Sequence, residues 1–410
     1  MQIALCILYG IDARQVCATM DIAEGERLID HKQYDAAYHY FLDGVGDEAT
    51  PEIRDRRDAI LTYLRVVRYA DHHLEARHQG DHLTFHYNAS LVPADDMVLL
   101  IQRYEHAYQA INKTLDIQFN QPIDVFLYPE EMELALWESL PSLSLYNSDE
   151  VHVFYSGVDH HGQIEHEMVH VMTEHLHAFR GRHTLPALLI EGLAEYMVAD
   201  PWGLELDKWV KGFRELGVFI PLTELQNDAV FRKHNQIITY EEAGSFVHDL
   251  ITRYGLNTFK RLYSQPSFDT VYGKPLDVLA HEWTDRIHSV GITRDEKDLI
   301  QFRVALGALY MKPSSLAHIP WIGIKTSVDR ERVFIERVAE SSPAQRGELK
   351  EGDEVVRVNH IKIDGTNVWR IGSLLLDKRA GDPISFAVKR DGRIVHRAIT
   401  LGEKPYRMVP

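Results

Sequence analysis

The chain has 410 residues, enough for two or three domains with separate cores. Its apolar fraction of 45% and charged fraction of 26% are those of a soluble globular protein, and no stretch approaches membrane-spanning length. A net charge of −17 with no basic tract excludes a nucleic-acid footprint, while Cys6 and Cys17 can neither staple the body of the fold nor form a C-x-x-C metal pair.

Ile3 to Leu8 is apolar but short for the core of an export signal, and no Lys or Arg precedes it. An ordinary first helix or strand competes with an export signal there, so the compartment, cytoplasmic or exported, stays open. Residues 1–80 are expected to form a helical N-terminal region. Ala23, Leu28 and Ile29, then Tyr34, Ala37, Tyr38, Phe41 and Leu42, make two apolar stripes separated by a polar turn at His31–Gln33. The stretch resembles one tetratricopeptide-type helix pair, although arrays of that type stack several repeats. After Pro51 a longer helix should run through Ile60, Leu61, Leu64 and Val67. This region reads as a helical appendage packed on its neighbour, with peptide binding as the other open role.

Residues 81–290 change pattern. HLTFHYNASL alternates as a strand, a helix is expected from about Ala94 to Asn112, and QPIDVFLYP and EVHVFYSG read as two more strands. A small sheet followed by a helix that carries His-Glu-x-x-His, as residues 166–170 do here, resembles the zincin fold, which implies that Val151–Tyr155 is the edge strand where an extended substrate backbone pairs. Next comes His166-Glu167-Met168-Val169-His170. On a helix, side chains four apart share a face, so the two imidazoles can address one point. Glu167 stands where a carboxylate can accept a proton from metal-activated water. Ile164, Met168, Val171 and Met172 supply the apolar stripe, and Asp159 or Gly162 could open the helix. Zinc needs a third protein ligand with a fourth position left open. The following stretch LPALLIEGLAEYMV, over residues 185–198, carries Glu191 and Glu195 four apart, with Pro186 suited to a helix start.

These motifs together resemble the gluzincin metallopeptidases. HEMVH followed after twenty residues by Glu191-Gly192-Leu193-Ala194-Glu195-Tyr196 is similar to the aminopeptidase-N and glycyl-aminopeptidase families and to bacterial peptidase-MA-like proteins. The resemblance implies a zincin-type domain, a Zn²⁺ cofactor, and Glu191 as the ligand that joins His166 and His170. Glu174 and Glu195, each one turn beyond a ligand, are candidates to accept the outer N–H of a ligating histidine. His160, His161, His175, His177 and His183 read as surface or cap residues. Downstream, Tyr240-Glu241-Glu242-Ala243-Gly244 loosely resembles the element whose tyrosine assists the oxyanion in these families, with its lysine replaced and its glycine one place later. Tyr240 is expected to open a helix. No G-x-M-E-N stretch, which in the resembled exopeptidases holds a substrate amine, precedes residue 166, so endo- and exopeptidase both remain open.

Residues 291–316 hold an amphipathic helix and a Lys312-Pro313-Ser314-Ser315 joint. Residues 317–405 read as a β-rich module with a hairpin around Asp391-Gly392. The element SPAQRGELKEGDEVVRVN resembles the PDZ domain of bacterial proteases, which implies capture of an extended C-terminal peptide as an added strand. Trp321-Ile322-Gly323-Ile324 is the matching peptide-binding loop. The expectation is an α+β multidomain protein of bacterial type: a zinc metallopeptidase with peptide or protein partners. The competing expectation is a catalytically silent peptide-binding scaffold or chaperone-like protein with a vestigial or structural zinc site.

Overall fold

The computed structural model describes residues 22–43, 51–129, 145–147, 149–155, 163–174, 185–310, 320–376 and 378–403. Cys6, Cys17, the Ile3–Leu8 stretch, Asp159, Gly162, the five histidines at 160, 161, 175, 177 and 183, and the joint at 312–315 lie outside these residues. The chain is a mixed helix and sheet structure of two compact units, one ending at Thr293 and the other starting at Arg294. Among the described residues no helix is long and apolar enough to cross a membrane.

The first unit opens with α1 (Ile22–Asp30) and α2 (Tyr34–Asp43), turned at residues 31–33, followed by α3 (Pro51–His73). Ile29, Ala37 and Phe41 close on Ile60, Leu64 and Val67, so the two expected stripes share one small core with the longer helix. Then come β1 (Ala76–Gln79), β2 (Leu83–Tyr87), α4 (Ala94–Thr114), β3 (Ile123–Pro129), β4 (Leu145–Asn147) and β5 (Glu150–Tyr155). The sheet order is β1-β2-β3-β5-β4, with β2, β3 and β5 parallel and both flanking pairs antiparallel. Ile123, Val125 and Leu127 alternate into the core from β3, and Met97, Leu100, Tyr104, Tyr108 and Ile111 line one face of α4.

Two expectations are corrected here. Residues 76–79 are a strand paired to β2 rather than part of a helical region, their partner Leu83–Tyr87 supplying the backbone groups that a polar ARHQ stretch lacks a side-chain signal for. On the β5 side the edge among the described residues is β4, because Leu145–Asn147 pairs with His152–Glu150 and covers that part of β5.

Helices complete the unit: α5 (Gln163–Glu174), α6 (Ala187–Val198), α7 (Leu206–Leu216), α8 (Leu222–Leu225), α9 (Asp228–Lys233), α10 (Gln236–Tyr254), α11 (Leu256–Ser264), α12 (Phe268–Tyr272) and α13 (Leu276–His288). At the start of α6 the Ala187 N–H donates to Asp228 Oδ1 at 2.7 Å, a carboxylate at a positive helix end. α10 begins earlier than expected. The Asn235 side chain accepts from the Ile237 N–H at 3.0 Å and caps the helix, which puts Tyr240 inside its second turn.

The second unit starts with α14 (Arg294–Tyr310), then β6 (Pro320–Trp321), β7 (Ile324–Asp329), β8 (Arg332–Val338), α15 (Pro343–Arg346), β9 (Glu354–Val358), β10 (Ile361–Lys362), α16 (Arg370–Ser373), β11 (Pro383–Arg390), β12 (Arg393–Thr400) and β13 (Gly402–Glu403). Its main sheet runs β12-β11-β9-β8-β7, with β10 on β9 and β13 on β6. Val333, Ile335, Val355, Phe386 and Ile399 fill its core.

Candidate metal centre

α5 is placed by its apolar stripe: Ile164, Met168, Val171 and Met172 are all buried. That leaves His166 and His170 aimed together at Glu191, which arrives from the second turn of α6. The two Nε2 atoms are 3.1 Å apart, and each lies 3.2 Å from Glu191 Oε2. Among the described residues this is the one group of three side chains able to hold a metal, and all three are buried.

The triangle fits a zinc ion. Ligand atoms at about 2.0–2.1 Å from a tetrahedral ion stand about 3.3 Å from one another. The donor set agrees. His166 Nδ1 donates its N–H to Glu195 Oε1 at 2.9 Å, so a cation that displaces the Nε2 proton would meet a lone pair facing His170 and Glu191. Glu167, Glu191 and Glu195 together bring three carboxylates to two imidazoles, a buried cluster short of positive charge. Burial alone would lower the His166 pKa, but Glu191 and Glu195 hold it well above the ordinary imidazole value. Burial alone would raise Glu191, but His170 and His166 hold it well below the carboxylate range. A divalent cation would answer the same deficit.

Glu167 is buried, with Oε1 3.8 Å from His166 Nε2. Tyr240 stacks its ring on His166, centroids 5.7 Å apart and planes 20° from parallel, with Phe231 behind it at 5.6 Å. Burial, then the Glu191 charge, raises the Tyr240 pKa well above 10.0, so the phenol keeps its proton. Glu174 ends α5, and its side chain lies outside the described residues.

Two neighbours escape a reading of the sequence. Arg232 brings positive charge toward Tyr240. Glu241 is 3% exposed, and burial together with the Glu195 charge raises its pKa well above 4.5. Glu241 lies within the Tyr240 element, whereas Arg232 comes from the preceding helix α9. Both carboxylates of the Tyr240 element are buried, and Glu242 Oε1 accepts from the Ile220 N–H at 3.0 Å; the Asn235 cap is the local signal that sets the phase of α10.

In the second unit, Gly323 has φ +84°, and a Cβ there would meet Ser342 Cβ at 2.2 Å, so only glycine fits. The Ile322 carbonyl accepts from the Ala344 N–H at 2.8 Å, and the Gly323 carbonyl from the Ala339 N–H at 2.9 Å. Ile322 is part of the core, Ile324 packs partly buried against it, and Trp321 lies in β6. β7 ends the sheet beside this loop.

Comparison with known proteins agrees on the second unit. Residues 320–401 match the PDZ domain family, and the C-terminal module is a PDZ domain. Solved structures include an HtrA-type protease, an AlgW variant with decapeptide: 23% identity, TM-score 0.20, covering 22% of this chain and 30% of that one. Another is the HtrA3 PDZ domain bound to a phage-derived ligand: 22% identity, TM-score 0.18, covering 20% of this chain and 86% of that one. The match thus spans about a third of the HtrA-type protease chain. A third is an aminopeptidase N family protein from Idiomarina loihiensis: 10% identity, TM-score 0.27, covering 81% of this chain and 67% of that one. No curated protein matches. Such low TM-scores leave the chemistry of the first unit to be read from its own atoms.

Proposed function

We propose that the protein is a zinc-dependent metallopeptidase of gluzincin type whose PDZ domain positions a peptide substrate or partner. The observation that carries this reading is the convergence of His166 Nε2 and His170 Nε2 on Glu191 Oε2, each at 3.2 Å. A zinc ion held by these three side chains would supply Lewis acidity for water and the peptide carbonyl. Glu167, buried beside His166, accepts the proton of the attacking water and passes it to the leaving amine. Tyr240 donates its O–H to the oxygen on which negative charge develops. Glu195 holds the His166 ring in the tautomer that leaves Nε2 free to ligate. An extended backbone could add to β4, one edge of the first unit's sheet, and to β7, one edge of the PDZ sheet.

The test is Glu167→Gln. Zinc content should stay at that of the unaltered protein while hydrolysis of a peptide library falls by about 10²–10⁴-fold. Undiminished hydrolysis would remove Glu167 from the mechanism, and hydrolysis that survives complete zinc removal would end the proposal.

A further inference from the structure

α6 and α10 pack closely against each other at two glycines, Gly192 and Gly244. A Cβ on Gly192 would lie 2.7 Å from the Ala243 carbonyl oxygen, 2.9 Å from its carbon and 2.8 Å from Val247 Cγ2. A Cβ on Gly244 would lie 2.6 Å from Glu195 Cβ and 3.2 Å from a Leu206 methyl. The contacts are reciprocal: Gly192 meets the residue before Gly244, and Gly244 meets a residue one turn after Gly192. The Ala243 carbonyl is fixed within α10, so a methyl at 192 can be admitted only by parting the helices. Both glycines stand inside helices, where each weakens the helix by about 0.5–1 kcal/mol relative to alanine. Helical propensity therefore argues against them, and close approach is what they provide.

The crossing lies among the groups of the metal centre. Gly192 follows Glu191 directly, Gly244 stands one turn beyond Tyr240, and the carbon that Gly244 touches belongs to Glu195, the partner of His166. We infer that Gly192 and Gly244 are positioning residues: their contact sets the spacing between the helix carrying Glu191 and Glu195 and the helix carrying Tyr240. The inference rests on the metallopeptidase reading for its catalytic half only. Its metal half concerns Glu191 reaching the two imidazoles. Misplacement by about 1 Å can cost a reaction about 10²-fold, so the parting that one methyl forces is large on the scale that matters.

The experiment compares Gly192→Ala and Gly244→Ala in the full chain. Zinc affinity is read by competition with a chromophoric chelator, with no substrate present. Gly192→Ala should bind zinc at least about tenfold more weakly, the loss seen when ligand support is disturbed. Gly244→Ala should keep its zinc and lose about 10²-fold in kcat with little change in KM. Combined with Tyr240→Phe, it should be no slower than Tyr240→Phe alone, because the glycine acts through that phenol. Folded variants with unchanged zinc affinity and kcat but lower melting temperatures would overturn the inference. So would independent, multiplying effects of Gly244→Ala and Tyr240→Phe, or failure of both alanine variants to fold, which would make the glycines packing residues only. If the unaltered protein binds zinc yet cleaves no peptide, the peptidase reading fails, and the chelator competition on Gly192→Ala still decides the metal half.

Discussion

Glu195 Oε1 accepts the Nδ1 N–H of His166 at 2.9 Å, one turn of α6 beyond the candidate ligand Glu191. One helix therefore carries both a candidate ligand and the carboxylate that orients a second candidate ligand, His166. Glu195→Ala should weaken zinc binding by about 10- to 100-fold, while Glu195→Gln, whose amide oxygen can still accept the N–H, should lose less. Equal zinc affinity in all three proteins would show that the tautomer of His166 is held by something else.

Tyr240 offers a donor whose pKa is raised well above 10.0, by burial first and by Glu191 second. Tyr240→Phe keeps the ring that stacks on His166 and removes only the O–H. Hydrolysis should fall by about 10²–10³-fold in kcat with zinc content unchanged, the loss seen when one oxyanion donor is removed. Because the phenol stays protonated, its ionisation should add no falling limb to the rate profile between neutral pH and about 10. A limb in that range that disappears in Tyr240→Phe would contradict the assignment.

What could be read from the sequence divides along a physical line. His166 and His170 were legible because a spacing of four is itself a geometric statement, and Tyr34, Ala37 and Phe41 because helical period reports burial. Glu191 was legible only through resemblance, since nothing local ties residue 191 to residue 170. The edge position of β4 was not legible: Leu145–Asn147 is three residues, too short to carry a period. Nor was β1, whose ARHQ is held by backbone pairing with Leu83–Tyr87 rather than by an apolar face. The crossing at Gly192 and Gly244 depends on two helices meeting, and no window along the chain contains both.

A polar chain that runs from the exposed Lys32 to the buried Glu150 and His152 joins the front helices to the sheet. The Tyr128 hydroxyl and His152 Nδ1 share a hydrogen bond of 2.8 Å, His152 Nε2 faces Glu150 Oε2 at 3.4 Å, and Lys32 Nζ donates to Glu150 Oε1 at 2.9 Å. Lys32 sits at φ 55° in the turn between α1 and α2, so this turn is pinned to β5. Burial pushes the Glu150 pKa up, but His152 and Lys32 outweigh it and bring the value from 4.5 down to about 2. A depressed folded-state pKa means stability present above the unfolded value and lost as pH falls through the folded one. The window is therefore from pH 4.5 down to about pH 2, and the contribution at stake is at most about 3 kcal/mol. Urea unfolding should show the protein more stable than Glu150→Gln near neutral pH, with the gap narrowing through that window. A gap that does not change with pH would assign the difference to packing.

The last prediction separates two interactions that hold α14 within the second unit. Phe302 is buried and stacks on Trp369 at 5.7 Å and 26°, and a Cβ on Gly372 would come within 3.0 Å of its ring. Arg370 lies over the same Trp369 ring at 4.6 Å and reaches Asp295 Oδ1 and Asp298 Oδ2, both at 3.1 Å. The ion pairs look numerous, but the Asp295 side chain is 89% exposed and water screens it, so removing it should cost under about 1 kcal/mol. Truncating a buried phenylalanine costs about 3–5 kcal/mol, and the low end applies beside a partly open tryptophan. Phe302→Ala should therefore loosen the PDZ domain by about 3 kcal/mol, raising amide hydrogen exchange in α16 and its neighbours by about 10²-fold, while Asp295→Asn should barely register. Equal effects of the two substitutions would mean that charge, rather than the ring stack, secures the helix. Exchange unchanged by Phe302→Ala would mean that the PDZ core is indifferent to α14.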